Sequence, residues 1–232
     1  MKNNCGSQGV LMVTDPFVTP DNLTEKTAYW LGQIQARNRS RPNLFLEPSK
    51  CALLIVDMLH YFAHPDGRAY LPSTEAIIPR ISALLRYWRN ISGTVVFTRH
   101  CHSGKHDLGM LGKFFSDYIR CGRQESEIIS KLAPLSEERV FQKNTYDAFY
   151  RTGLEEYLRE LNIEQVLVTG VLTHLCCETA ARSAFVRGFE VYIAADALTS
   201  STEELHLGSL LGLANGFTVV SDTDSICSAR EG

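Results

Sequence analysis

The chain has 232 residues, of which 44% are hydrophobic, and its formal net charge is −3. This length and hydrophobic content are enough to bury one large α/β core. The slightly acidic balance, without any basic run, excludes nucleic acid as an expected partner. No apolar run approaches the roughly 20 residues needed to span a bilayer, and the first residues lack the pattern of a signal peptide. We therefore expect a cytoplasmic protein with no membrane partner.

Residues 1–48 are polar and irregular, and they contain four of the eight prolines. Within them, the segment NLTEKTAYWLGQIQARN predicts one helix with Thr24 as its N-terminal cap. We interpret residues 1–48 as an arm that lies on the domain or on a neighbouring subunit, and residues 49–232 as a single domain. A homo-oligomer, either a dimer or a tetramer, is expected.

From residue 51 onwards, short apolar runs alternate with amphipathic segments. The runs are typical of strands that are buried on both faces: CALLIVD, GTVVFTR, ERVFQK, EQVLVTG, FEVYIAAD and GFTVV. The segments between them predict helices, and the last of these has Ser201 and Glu204 in a capping-box pattern. This alternation implies right-handed crossovers, and hence an α/β fold with a parallel sheet and helices on both faces.

Three reactive side chains follow predicted strands, at the edge of the sheet where ligands bind in such folds. Asp57 ends the first apolar run, Lys143 ends RVFQK, and Cys176 follows VLVTG after a turn of five residues. Taken singly, each has an ordinary structural interpretation, because such an Asp caps turns, such a Lys is solvated and a buried Cys is inert. An acid after five apolar residues is nevertheless costly unless it is paired or faces a cleft. The convergence of all three on one edge favours a reactive site.

The chemistry that these three groups permit is acyl transfer through a thioester. A thiol in the first turn of a helix feels the positive end of the helix dipole, and a nearby ammonium lowers its pKa further. We therefore expect Cys176 to form a thiolate near neutral pH. A carboxylate within reach takes the thiol proton and returns it to a leaving group. The turn GVLTHLC brings backbone N–H groups towards the same point, as an oxyanion hole requires.

The segments LLIVDMLHYF, KNTYDAFYRTGLEEYLRELNIEQVLVTGVLTHLCCETAARSAFVRGFEV and AADALTS resemble the isochorismatase-like cysteine hydrolases over residues 50–222. The resemblance implies a six-stranded Rossmann-like sheet and a catalytic triad of Asp57, Lys143 and Cys176. We expect no cofactor. It also implies a cis peptide between Val171 and Leu172, and an oxyanion hole built from the amides of Leu172 and Cys176.

The loop TRHCHSGKHDLGML contains four possible metal ligands, His100, His102, His106 and Asp107. Such a set could bind Zn²⁺ or Fe²⁺. It does not have the spacing of the metal site in nicotinamidases, which is built on Asp-x-His and a further histidine. We expect these side chains to contact substrate or solvent, and we expect no metal.

The resulting functional hypothesis is a hydrolase that cleaves a C–N bond of a small amide, ureide or carbamoyl compound. Phe62, His100 and Tyr146 are expected to bind this small-molecule substrate. One alternative is a vinyl ether hydrolase of the isochorismatase type that uses Asp57 as general acid. Against it, Cys176 is present and Leu108 stands where those enzymes carry an arginine. The other alternative is a catalytically silent relative that binds a metabolite.

Seven cysteines are scattered along the chain without any C-x-x-C pattern. They indicate neither a disulfide framework nor a zinc finger, and we expect most of them to be reduced thiols that pack as small apolar groups. Cys177 falls at a position where the family has a valine, so we expect it in the core. His206 is expected to pack on the sheet from a helix face rather than to act in catalysis.

Overall fold

Six parallel strands form one sheet in the computed structural model, which describes residues 15–37 and 44–228. The strands are β1 (Cys51–Val56), β2 (Val95–His100), β3 (Arg139–Lys143), β4 (Gln165–Val171), β5 (Glu190–Thr199) and β6 (Thr218–Ser221). Their order across the sheet is β3-β2-β1-β4-β5-β6, and every neighbouring pair is parallel. The predicted six-stranded α/β fold is therefore confirmed.

Eight α-helices occur in the described part of the chain. They are α1 (Leu23–Gln35), α2 (His60–Ala63), α3 (Thr74–Asn90), α4 (Leu111–Phe114), α5 (Leu154–Glu160), α6 (Glu178–Val186), α7 (Glu203–Gly216) and α8 (Thr223–Ser228). Helices α1, α5, α6 and α7 cover one face of the sheet, whereas α3 and α8 cover the other. None of the described helices is long and apolar enough to cross a membrane.

The apolar run at β1 reflects burial on both faces of the sheet. Leu54 and Val56 pack into the cluster under α1 and α5–α7, whereas Leu53 and Ile55 pack into the cluster under α3. All six residues of β1 are buried, which is why the run shows no polar alternation. Truncating any of these leucines to alanine would cost about 2–5 kcal/mol of unfolding free energy.

The N-terminal helix α1 packs against α7 of the same chain. Trp30 is fully buried there, and its Nε1 donates to Oε1 of Glu203 at 2.8 Å. Lys26 forms an ion pair with the same carboxylate at 2.6 Å. The predicted helix is confirmed, but Thr24 does not cap it, because the helix begins at Leu23 and Thr24 lies inside its first turn.

Helix α7 begins one residue later than its capping-box pattern indicates. Thr202 is the N-cap, and its side-chain oxygen accepts the backbone N–H of Leu205 at 3.3 Å. Ser201 therefore lies outside the cap. Because a serine and a threonine stand side by side here, the pattern does not distinguish between the two registers.

A disulfide joins Cys101 and Cys121 across the loop that follows β2. This pair is an exception to the expectation that most cysteines are reduced, which holds for Cys51, Cys176, Cys177 and Cys227. Two backbone hydrogen bonds in the loop bring the half-cystines together, because His102 donates to Ile119 and Cys121 donates to His102. This proximity arises between residues that are 20 positions apart, so no local cysteine pattern could show it.

The strand order places a topological switch point between β1 and β4. The chain runs outward from β1 through β2 to β3 on one side, and from β4 through β5 to β6 on the other. A crevice opens at the carboxyl ends of the two central strands in such a sheet, and ligands bind there. Asp57 directly follows β1, and the segment containing Cys176 directly follows β4.

Candidate active site

Asp57 is held at the end of β1 by a left-handed backbone conformation, with φ of 49°. Its side chain is completely buried, and Oδ1 accepts the hydroxyl of Thr98 at 2.6 Å. Oδ2 accepts the ammonium of Lys143 at 2.6 Å. Asp and Asn tolerate the left-handed region better than most residues, so this position suits an aspartate. The carboxylate is thus fixed at both oxygens.

Lys143 ends β3, and its ammonium is buried in the middle of the site. Nζ donates to Oδ2 of Asp57 at 2.6 Å, to the carbonyl of Thr145 at 3.1 Å and to Sγ of Cys176 at 3.3 Å. It also lies 3.4 Å from Nδ1 of His100. A solvated lysine at the strand end is therefore excluded, and the structure brings the three predicted residues together.

The carboxylate and the ammonium are both charged at neutral pH. Burial alone would raise the pKa of Asp57, but the neighbouring ammonium of Lys143 holds it below its ordinary value. Burial alone would lower the pKa of Lys143, but Asp57 and Cys176 together raise it. Each partner therefore stabilises the charged form of the other, as a buried pair requires.

Cys176 lies in a turn that links β4 to α6. The peptide between Val171 and Leu172 is cis, as the family resemblance implied. A π-turn follows over Thr173–Cys177, in which the carbonyl of Leu172 accepts the N–H of Cys177 at 3.2 Å. This turn continues without a break into α6 at Glu178, so Cys176 lies in the first helical turn after β4, which is a π-turn.

The thiol of Cys176 is protonated at rest. Burial raises its pKa to about 12; the Lys143 ammonium opposes this rise and the Asp57 carboxylate adds to it. The expected thiolate near neutral pH is therefore wrong, because only 5% of the residue is exposed and its two charged neighbours shift the pKa in opposite directions. The resting site holds a neutral thiol beside an ionised base.

Cys177 lies in the core, as its position in the motif predicted. It is 1% exposed, and its Sγ contacts the backbone carbonyl of Thr169 in β4 at 3.9 Å. Burial raises the pKa of this thiol well above its ordinary value. Of the two adjacent cysteines, Cys176 is the one that contacts the ammonium of Lys143.

His100 and His102 extend the site towards the loop after β2. Their Nε2 atoms lie 3.1 Å apart, and Nδ1 of His102 lies 3.3 Å from Oδ1 of Asp107. Burial and the nearby Lys143 ammonium lower the pKa of His100 to about 3. His100 is therefore neutral and adds no charge beside the thiol.

Among the described residues, one trio has ligand atoms placed to hold a metal ion: Asp57, His100 and Cys176, whose atoms lie within 4.8 Å of one another. The Nζ atom of Lys143 already contacts an atom of each of the three. The ammonium therefore stands where a bound cation would lie. Asp107, the carboxylate of the loop, is engaged by Ser103, whose hydroxyl donates to it at 2.8 Å.

Two aromatic residues were expected to bind substrate. Tyr146 is half-buried and packs against the core cluster that contains Cys176, and burial raises its pKa. Phe62 packs edge-on against Tyr61 at 4.8 Å between ring centroids. Phe62 and Leu172 pack against the same core cluster, so both face the same side of the sheet.

Thr98 belongs to the site but was not singled out from the sequence. It is fully buried in β2, donates to the Asp57 carboxylate and accepts the Asp57 backbone N–H at 3.1 Å. The sequence signal that could have identified Thr98 is its hydroxyl at the end of the apolar run TVVFT, because a buried polar group needs a hydrogen-bond partner.

A cavity of about 740 Å³ lies between α2 and the loop of residues 105–125. Its wall is polar, and Arg68 joins Asp117 and Glu125 across it. None of the three triad residues lines this cavity.

A buried Asp–Lys–Cys cluster at the switch point of a parallel sheet defines the site of an α/β enzyme, and comparisons with known proteins agree. The isochorismatase domain model matches residues 51–225. Nicotinamidase 3 of Arabidopsis thaliana is 38% identical over 178 residues, which are 75% of this chain and 86% of that protein. Enterobactin synthase component B of Escherichia coli is 30% identical over 203 residues, 87% of this chain and 71% of that one.

A solved structure of a cysteine hydrolase from Pseudomonas syringae pv. phaseolicola superposes with a TM-score of 0.77. It is 27% identical in sequence and covers 82% of this chain and 97% of its own. The chain belongs to the isochorismatase family, and it is a hydrolase.

Proposed function

We propose that the protein is a cysteine-dependent amidohydrolase that cleaves the C–N bond of a small amide, ureide or carbamoyl compound. The observation that carries the proposal is the position of the Lys143 ammonium, which bonds both the Asp57 carboxylate and the Cys176 sulfur. A base, a cation and a nucleophile in direct contact are the parts that thioester chemistry needs. The similarity to Nicotinamidase 3, which by its name acts on an amide, supports the same class.

The first step is attack by the Cys176 sulfur on the substrate carbonyl carbon. Because the resting thiol is protonated, Asp57 takes its proton as the C–S bond forms, and no free thiolate accumulates. The Lys143 ammonium stays charged and stabilises the negative charge that passes from carboxylate to sulfur. The carbonyl becomes a tetrahedral oxyanion.

The backbone N–H groups of Leu172 and Cys176 are assigned to this oxyanion. Both belong to the segment between the cis peptide and the end of the π-turn, which holds the backbone beside the sulfur. Donors fixed in this way stabilise charge that develops only in the transition state.

Collapse of the tetrahedral adduct breaks the C–N bond. Asp57 returns its proton to the departing nitrogen, so ammonia or an amine leaves and the acyl group stays on Cys176 as a thioester. Water then attacks the thioester carbonyl and gives one proton to Asp57. Expulsion of the sulfur and return of that proton regenerate the thiol and release the acid.

The electrostatics of the site favour an uncharged substrate. Asp57 and Lys143 cancel each other, and the histidine beside them, His100, is neutral. A substrate with several carboxylates would need cations that the described residues at the thiol do not supply, since Lys143 is already paired. This argument disfavours the vinyl ether reaction and makes nicotinamide and related carboxamides the first compounds to test.

The experiment is ammonia release from a panel of nicotinamide, benzamide, an N-carbamoyl amino acid and a ureido acid, with isochorismate consumption measured in parallel. Wild type should release ammonia from at least one panel member, and Cys176→Ala should release none. A thioester adduct on Cys176 should appear by mass spectrometry under rapid acid quench. Turnover of isochorismate that survives Cys176→Ala would establish the alternative with Asp57 as general acid. Absence of both activities would indicate the silent relative.

A further inference from the structure

One buried histidine outside the triad bonds the nucleophile turn. His206 on α7 has no exposed surface, and its Nδ1 lies 2.8 Å from the hydroxyl oxygen of Thr173. Its Nε2 has no hydrogen-bond partner among the described residues. The ring of Trp30 from α1 packs against it with 4.4 Å between ring centroids. His206 thus contacts α1 and the turn that follows β4.

This arrangement is costly for the folded state. Burial lowers the pKa of His206 to about 3, so the ring is neutral and one of its nitrogens remains unsatisfied. A buried polar atom without a partner destabilises the folded protein, and native structures contain few of them. A leucine in the same place would avoid this cost, so stability alone does not explain a histidine here.

Among the described residues, the side-chain hydrogen bond of His206 is directed at the segment that presents Cys176. Thr173 opens the π-turn of Thr173–Cys177, and the carbonyl of Thr173 accepts the hydroxyl of Ser209, also on α7, at 3.4 Å. The same hydroxyl bonds the carboxylate of Glu178, the first residue after the turn. Helix α7 therefore holds the turn on both sides of Cys176.

We propose that His206 is a positioning residue for the nucleophile, acting through its hydrogen bond to Thr173. The inference rests on the proposed function, because it requires that Cys176 reacts. The bond fixes the start of the turn and with it the sulfur and the N–H groups assigned to the oxyanion. Helix α1 takes part by placing Trp30 over the ring, which seals His206 from water.

Three substitutions of His206 separate positioning from packing. In His206→Asn, the side-chain amide lies near the position of Nδ1 and can keep the hydrogen bond to Thr173. In His206→Gln, the amide lies near the position of Nε2, which does not bond Thr173. His206→Leu and His206→Gln should lower kcat by about 10- to 100-fold, the loss expected from a nucleophile displaced by up to about 1 Å. KM should stay within twofold. His206→Asn should recover most of kcat, and the Tm of His206→Leu should equal or exceed that of wild type.

Thr173 provides a second test if any His206 variant fails to fold. Thr173→Val removes the hydroxyl at nearly constant volume and should reproduce the kcat loss of His206→Leu, whereas Thr173→Ser should restore kcat. The double variant Thr173→Val/His206→Leu should lose no more than either single variant, because both remove the same bond. Leu213→Met, a packing change elsewhere on the buried side of α7, should leave kcat unchanged.

Two results would overturn the proposal. One is a folded His206→Leu or Thr173→Val protein with kcat within twofold of wild type. The other is an equal loss of kcat in His206→Asn and His206→Leu, which would show that the bond to Thr173 does not matter. Cys176→Ala is measured in the same assay, so that a failure of the proposed function can be distinguished from a failure of the positioning role. Activity that survives Cys176→Ala overturns the proposed function, whereas an inactive Cys176→Ala with a fully active His206→Leu overturns only the positioning role.

Discussion

The Nζ atom of Lys143 lies 2.6 Å from Oδ2 of Asp57, and both side chains are completely buried. A buried ion pair contributes little net stability, because removing two charges from water offsets most of their attraction. Apolar residues of similar size would serve the fold equally well at this position. This ion pair also contacts the thiol of Cys176. A catalytic role therefore explains the pair better than a contribution to stability does.

Replacing Lys143 by methionine should remove activity and stability together. Asp57 would be left buried and unpaired, so its pKa would rise and it would hold a proton at neutral pH, losing its function as a base. We expect kcat to fall by about 10²- to 10⁴-fold and the unfolding free energy by about 3–5 kcal/mol. Steady-state kinetics and urea denaturation measure the two effects.

The matched control is Lys143→Met/Asp57→Leu, which removes both charges. It should recover most of the lost stability without recovering any activity. A Lys143→Met protein that keeps kcat within tenfold of wild type would show that the ammonium does not assist the nucleophile.

The paired cysteines should respond in opposite ways. Cys176→Ala should abolish hydrolysis in a folded protein, whereas Cys177→Ala should keep at least half of kcat, since that thiol only packs against β4. Because the pKa of Cys176 is about 12, iodoacetamide should modify it slowly at pH 7 and faster as the pH rises. Intact-mass measurement on wild type and both variants follows the modification. Equal loss of activity in the two variants would contradict the assignment.

The fold and the three triad residues could be predicted from the sequence because both depend on local pattern. The run CALLIVD identifies a doubly buried strand, and the rule that ligands bind at strand ends then selects Asp57, Lys143 and Cys176. The structure brings these three side chains together.

The protonation of Cys176 could not be predicted in the same way. The helix dipole and a neighbouring lysine are visible in the sequence, and both favour a thiolate. Burial, which dominates the pKa, depends on the packing of the whole fold and not on the local sequence. The same limit applies to the disulfide between Cys101 and Cys121, which depends on how a loop folds back on itself.

Activity should survive exhaustive treatment with EDTA. The atoms of Asp57, His100 and Cys176 that could hold a metal already surround the ammonium of Lys143. A dication there would meet electrostatic repulsion from Nζ. Turnover measured before and after chelation, together with metal content by mass spectrometry, tests this expectation. Inactivation by EDTA that Zn²⁺ or Fe²⁺ reverses would show that the loop histidines bind a metal.

Acid should destabilise the protein well before Asp57 is protonated. His100 and His206 have pKa values of about 3 when folded, whereas an unfolded histidine titrates near 6.5. Between these values the unfolded state binds more protons, so stability is full above about pH 6.5 and is lost as the pH falls towards 3. Each histidine contributes a slope of about 1.4 kcal/mol per pH unit within this window.

Urea unfolding at pH 7 and at pH 4.5 measures this loss. His206→Asn should make the pH dependence shallower by the share of one proton, whereas replacing the exposed His106 by asparagine should leave it unchanged. An identical pH dependence in wild type and His206→Asn would show that His206 is not held neutral in the folded protein.

Reduction of the disulfide between Cys101 and Cys121 should destabilise the loop that follows β2. The bridge closes a loop of 20 positions, for which the chain-entropy contribution is about 3 kcal/mol. Dithiothreitol should therefore lower the Tm of wild type and should have no such effect on Cys101→Ser/Cys121→Ser.

In urea, thiol titration should detect two more thiols after reduction than before it. Because Cys101 directly follows His100, which contacts the ammonium of Lys143, reduction should also lower kcat. An unchanged Tm and an unchanged thiol count would show that the two sulfurs are not bonded in solution.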